Sequence, residues 1–167
     1  MRRVNLAAHV ALSVGWMGAV AAFAVIAGYG AALTPSDRAV PGIYAALWVV
    51  MWAIIVPLAV LSLLTGVLQS VGTTWGLFRH YWVAMKLVLT IGATGLLLLH
   101  TRVAGTAVTL SATGDPHLVP LQQQLLLDSV AGLVALVLIA LLGWLKPKGR
   151  IVLRSSATPT EPEQPVS

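Results

Sequence analysis

Apolar residues run along this chain in four long blocks, at about residues 6–29, 43–68, 81–103 and 121–145. Each block exceeds the roughly 20 residues that an α-helix needs to cross a bilayer core. The segments between them carry turn chemistry: Pro35, Ser36, Asp37, Pro41 and Gly42, then Gly72 and Gly76, then Gly114, Asp115, Pro116 and Pro120. The pattern predicts an all-α integral membrane protein, with short connections making successive helices antiparallel neighbours in a four-helix up-down bundle. Residues 1–154 form the membrane domain, and the Ser/Thr/Pro/Glu-rich residues 155–167 form a disordered tail. The first block is longer than the roughly 7–15 residues of a signal-peptide core, so it reads as a retained helix. Pro57 should kink the second helix. The stretch from Val103 to about Leu110 extends the third helix beyond the membrane.

Composition sharpens this picture. The chain is 58% hydrophobic and 9% charged, with a mean hydropathy of +0.90, whereas soluble domains carry about 25% charged residues. The net charge of +5 and pI near 10.3 do not mark a nucleic-acid partner, because the basic residues sit at the ends of apolar blocks and form no stripe. They set topology. Arg2, Arg3, Arg79, Lys146, Lys148, Arg150 and Arg154 fall on one side and Arg38 and Arg102 on the other. By the positive-inside rule both termini of this multi-pass protein are cytoplasmic. Trp and Tyr near helix ends read as an aromatic belt. With no cysteine there is no disulfide, thiolate nucleophile or Cys-ligated metal. Five acidic residues are too few for a carboxylate cluster, and the four methionines are dispersed, unlike a copper carrier's soft-ligand set. No phosphate loop, HExxH motif or nucleophile elbow occurs, and no catalytic residue is assigned.

The candidate chemistry lies in the few ionisable residues inside the blocks, which are functional-site hypotheses by default. His9 and Lys86 sit on the order of 5 and 8 Å from the inner ends of helices one and three, at 1.5 Å per residue. They share an inner layer with Ser13 and Gln69. His100 lies fourteen residues after Lys86, on the same helix face near the outer end. It defines an outer layer with Arg102, His117, Gln122–Gln124 and Asp128, in which Asp128 pairs with His100 or Arg102. An axial gap on the order of 20–25 Å between His9 and His100 prevents the two from ligating one haem.

The segments LAAHVALSVGW and WVAMKL, with a later His in the same helix, resemble a superfamily of four-helix bacterial membrane proteins. It includes the membrane protoporphyrinogen oxidase, the copper-resistance membrane domain and actinobacterial predicted integral membrane proteins of unknown function. LTGVLQSVGTTWGLFRHYWVAMKLVLT and WLKPKGR are most similar to the last group. The Lys86–His100 spacing is longer than in the oxidase. The resemblance implies functional roles for His9 and Lys86 and a bound haem b, with His9 as the ligand to iron.

Three readings follow. The leading one is a haem-like or quinone-like redox ligand in the inner layer, with His9 as ligand or proton acceptor and Lys86 holding a propionate or polarising a carbonyl. The second is an accessory or scaffold subunit that packs against a membrane-protein partner or a second copy. The third is a small proton-coupled transporter with His100 and Asp128 as the proton relay.

Overall fold

The structure, a computed structural model, describes residues 2–71 and 81–145. The expectations for Arg79, Lys146, Lys148, Arg150, Arg154 and the 155–167 tail lie outside the described residues. Five helices follow in order: α1 (Arg2–Ala31), α2 (Val40–Val50), α3 (Val56–Val71), α4 (Tyr81–Thr113) and α5 (Leu118–Leu145). A π turn, Met51–Ile55, joins α2 to α3 without a break, so these make one rod. Four rods result, each long and apolar enough to cross a membrane. No strand occurs among the described residues.

Pro57, the expected kink position, follows just after the π turn. It removes one donor from the helical ladder, and its ring crowds the carbonyl one turn earlier. The chain answers by widening the turn ahead of it, where the Val56 N–H bonds to the Met51 carbonyl. The wide turn also keeps the buried face in phase. Leu47, Met51, Ile55 and Ala59 are all buried, yet they are spaced by three consecutive steps of four. In an unbroken α-helix three such steps drift by about 120°. The π turn absorbs most of that drift.

The third apolar block makes a longer helix than its hydropathy suggests. α4 continues to Thr113, where Gly114 adopts φ 65°. Gly114 N–H bonds to Ser111 O and Asp115 N–H to Leu110 O, the paired bonds of a Schellman stop. A Cβ placed on Gly114 would lie 3.5 Å from the Pro35 carbonyl. The α4–α5 turn therefore rests on the α1–α2 loop, and the added turns of α4 lie alongside the other rods.

The rods form a ring: α1 packs on α5 and on the α2–α3 rod, and α4 packs on the same two. His9, near the start of α1, meets Ser62 and Thr65 of α3. At the other end, Gln122 Nε2 of α5 donates to Gly30 O of α1 at 3.0 Å. Of the Gln122–Gln124 run, Gln122 is buried and its two neighbours are exposed. Tyr44 is also buried, which takes it out of the expected aromatic belt, and Trp16 in the middle of α1 is buried too. Trp48 and Trp52 stack edge to face at 5.8 Å. Trp48 also backs onto Gly105 of α4, where a Cβ would meet its ring at 3.3 Å.

Outside this core the rods expose large apolar residues on every side, among them Val25, Leu68, Val88, Leu99 and Leu127. Helices apolar all round belong in lipid or in the core of a large protein.

Candidate functional site

Two clusters of ionisable residues lie inside the ring. The first joins α4 to α5: His100 Nε2 stands 2.8 Å from Asp128 Oδ2. His100 is thirteen residues before the end of α4, on the order of 20 Å along the axis. This corrects its expected position at a helix end, because the apolar block ended before the helix did. Of the two residues expected to face Asp128, the histidine does so, and Arg102 is exposed.

The hydrogen bonds constrain the proton inventory of this pair. His100 Nδ1 is 2.8 Å from the Leu96 carbonyl one turn earlier. A carbonyl only accepts, so Nδ1 carries a hydrogen. Nε2 then faces a carboxyl oxygen at a distance two bare acceptors would not hold. One further proton held between them, on the imidazole or on the carboxyl, would leave the pair neutral overall. The approach departs from a straight hydrogen bond, since Oδ2 has no aligned donor. The soft terminal torsion of Asp128 allows that adjustment. A neutral pair is the cheapest way to keep both groups out of water, because an isolated buried charge costs far more.

This pair lines a cavity of about 180 Å³. Its remaining wall is mostly apolar: Trp16, Val20 and Phe23 of α1, Met51 and Ile55 of the π turn, and Leu97 and Leu125. Ser129 lies on the same wall, but its hydroxyl is committed to the Leu126 carbonyl.

The second cluster joins α1, α3 and α4. His9 Nδ1 is 3.1 Å from both Ser62 O and Thr65 Oγ1, and Ser13 Oγ is 2.8 Å from Ser62 Oγ. α3 approaches closely because it presents Gly66 to the imidazole: a Cβ there would lie 3.1 Å from His9 Cε1. Gln69 Nε2 ties the same end to Asn5 O at 3.0 Å. His9, Ser13, Ser62, Lys86 and Thr90 line a second cavity of about 80 Å³. Lys86 thus faces the bundle interior beside His9, the pairing expected from their depths.

Trp16 and Leu136 line both cavities and are the wall between them. Sequence reasoning passed over Trp16 because an indole in an apolar block reads as ordinary packing. It also passed over Ser62 and Thr65, whose i, i+3 spacing on the otherwise apolar α3 was the available signal. His117, placed in the outer layer from sequence, is instead exposed in the α4–α5 turn, with its Nδ1 2.8 Å from Asp115 Oδ1. The His117 backbone N–H donates to the same oxygen at 2.8 Å. This backbone bond and then the ring hold the Asp115 carboxyl below its ordinary range.

Haem does not fit the inner cluster in this arrangement. A cavity of about 150 Å³ takes one benzene, so about 80 Å³ is less than one aromatic ring, and a porphyrin joins four. No group of three or more His, Asp or Glu side chains converges on a metal position among the described residues. The larger cavity has room for a single ring against a neutral proton-bearing pair.

No family model, curated protein or solved structure matches the chain. The resemblance drawn from the histidine and lysine motifs therefore stands on those motifs alone. The four long apolar helices fit a multi-pass membrane protein.

Proposed function

We propose that this protein is a small proton-coupled carrier, an up-down four-helix bundle in a bacterial plasma membrane with both termini cytoplasmic. The observation that carries the reading is the placement of two ionisable clusters on two partly open clefts that share the wall of Trp16 and Leu136. Carriers place ionisable residues toward the bundle interior, where they serve as proton relays and substrate sites. The His100–Asp128 pair is the proton relay in this reading. The π turn at Met51–Ile55 lies on the larger cavity, and π bulges of this kind are frequent at functional sites. The distribution of Lys and Arg along the sequence supports the orientation.

The test is proton uptake into liposomes holding the purified protein, followed with an internal pH dye while candidate solutes are added outside. Wild-type protein should acidify the lumen with its solute, and Asp128→Asn should abolish uptake without loss of the folded state. Uptake equal in the two proteins would refute the relay.

A second reading is favoured by the size of the larger cavity: the head group of a quinone-like ligand, hydrogen-bonded to His100 or Asp128. Titration with a short-chain quinone should then give saturable binding that is lost on filling the cavity with Leu97→Trp.

A further inference from the structure

Lys86 is a cation facing the ring interior with no ion pair among the described residues. The chain has five acidic residues, Asp37, Asp115, Asp128, Glu161 and Glu163. Asp37 and Asp115 lie in the two loops at the far end of the ring, where Gly114 rests on Pro35 and Ser36. Asp128 is taken by His100. Glu161 and Glu163 belong to the terminal stretch outside the described residues. Lys86 accordingly has no ion pair or hydrogen-bond partner for its ammonium among the described residues. The contact at this residue runs through its backbone, whose carbonyl accepts from Thr90 Oγ1 at 2.8 Å.

An ammonium turned into a membrane bundle demands a counter-charge, since burying an unpaired ion is expensive. The groups around it can help to hold one. Ser13 and Ser62 share a single hydrogen bond, which leaves one hydroxyl hydrogen of the two uncommitted. His9 is held at Nδ1 by the Ser62 carbonyl, which leaves Nε2 for other partners. The cavity they enclose, about 80 Å³, exceeds the space one water needs and falls short of the roughly 150 Å³ that takes a benzene.

We propose that the cavity between His9, Ser13 and Lys86 binds one small anion, a halide or a short carboxylate such as formate, with Lys86 supplying the charge. In the carrier reading, on which this role rests, the anion is the cargo and the proton on His100–Asp128 its coupling ion. The two would then cross together without net charge. Trp16 and Leu136 separate the two sites and keep either from discharging alone. Binding itself requires only the cavity and the cation, so it is measurable apart from transport.

The experiment uses the full chain in nanodiscs of phosphatidylcholine. Its thermal midpoint is followed against sodium chloride, sodium formate and inorganic phosphate, with sodium gluconate holding ionic strength constant. Chloride or formate should raise the wild-type midpoint saturably, because a ligand that binds only the folded state stabilises it. Lys86→Met should weaken that response about 30-fold or more, as expected for removal of one partner of a buried charge pair. Ser13→Ala keeps the cation, covers the case in which Lys86→Met does not fold, and should weaken the response about three- to tenfold. A wild-type midpoint indifferent to all three anions overturns the proposal, as does an equal response in Lys86→Met. A rise produced only when phosphatidylglycerol replaces phosphatidylcholine also overturns it, and assigns the counter-charge to a lipid phosphate. Intact anion binding without coupled proton uptake would refute the carrier reading and leave the site standing.

Discussion

The bundle holds two histidines in the same way and gives them opposite neighbours. Each is anchored through Nδ1 on a backbone carbonyl, Leu96 for His100 and Ser62 for His9. Each therefore presents Nε2 to its surroundings. His100 meets a carboxyl and closes a neutral pair within the chain. His9 shares its cavity with a lysine that has no acid beside it among the described residues. The contrast teaches that an anchored imidazole has no fixed role of its own. The charge placed opposite Nε2 decides whether the site is complete or calls for a ligand.

The sharpest way to break the comparison is to make the complete site incomplete. His100→Leu leaves Asp128 without its partner, and because the two side chains are 21% and 33% exposed the loss should fall below the roughly 3–5 kcal/mol of a fully buried pair. Unfolding in mixed micelles should show that loss, and adding Asp128→Leu should recover most of it. Equal stability of the single and double variants would mean that the pair carries no such coupling.

Joining the sites comes next. Trp16→Ala removes the wall between the cavities and should cost about 3–5 kcal/mol. Liposomes carrying it should also leak protons with no solute added, and a tight Trp16→Ala membrane would show that the indole is packing alone. A smaller effect is expected at Gly66, where a Cβ would press on His9 at 3.1 Å. Gly66→Ala should cost about 1–3 kcal/mol and weaken anion binding at Lys86. Gly18→Ala, whose Cβ meets nothing within 4 Å, should change neither.

The smallest effect concerns the second His–carboxylate contact, outside the bundle. The Asp115 carboxyl is held low by the His117 backbone N–H and ring, so its folded value lies below the unfolded value near ~3.9. Its contribution is present above that unfolded value and is lost as pH falls through the lower folded one. Wild type should lose a small part of its thermal midpoint on acidification below about pH 4, and Asp115→Asn should lack that step.

Much of this arrangement was legible in the sequence. Four apolar blocks gave four rods, and depth counting from helix ends brought His9 to Lys86 and Asp128 within reach of His100. Helix length was less legible, because hydropathy falls where threonines enter α4. Thr106, Thr109 and Thr113 nevertheless satisfy their hydroxyls on carbonyls of their own helix and let it continue. The size of each cavity was not legible at all, since it depends on how Trp16, Leu136 and Gly66 meet across different helices. The larger volume lies beside Asp128 and the smaller beside Lys86.

The π turn has a consequence for how this chain tolerates length changes. It amounts to one surplus residue in the second rod. Deleting any one residue between Met51 and Ile55 would restore a regular ladder and leave everything after it close to its present face, because Leu47 and Ala59 would then stand eleven residues apart, within about 20° of three full turns. Ser62, Thr65 and Gly66 would still face α1, and the His9 imidazole would keep its anchor. The second rod therefore tolerates the loss of a residue at the π turn, where a regular helix would turn everything after the deletion by about 100°.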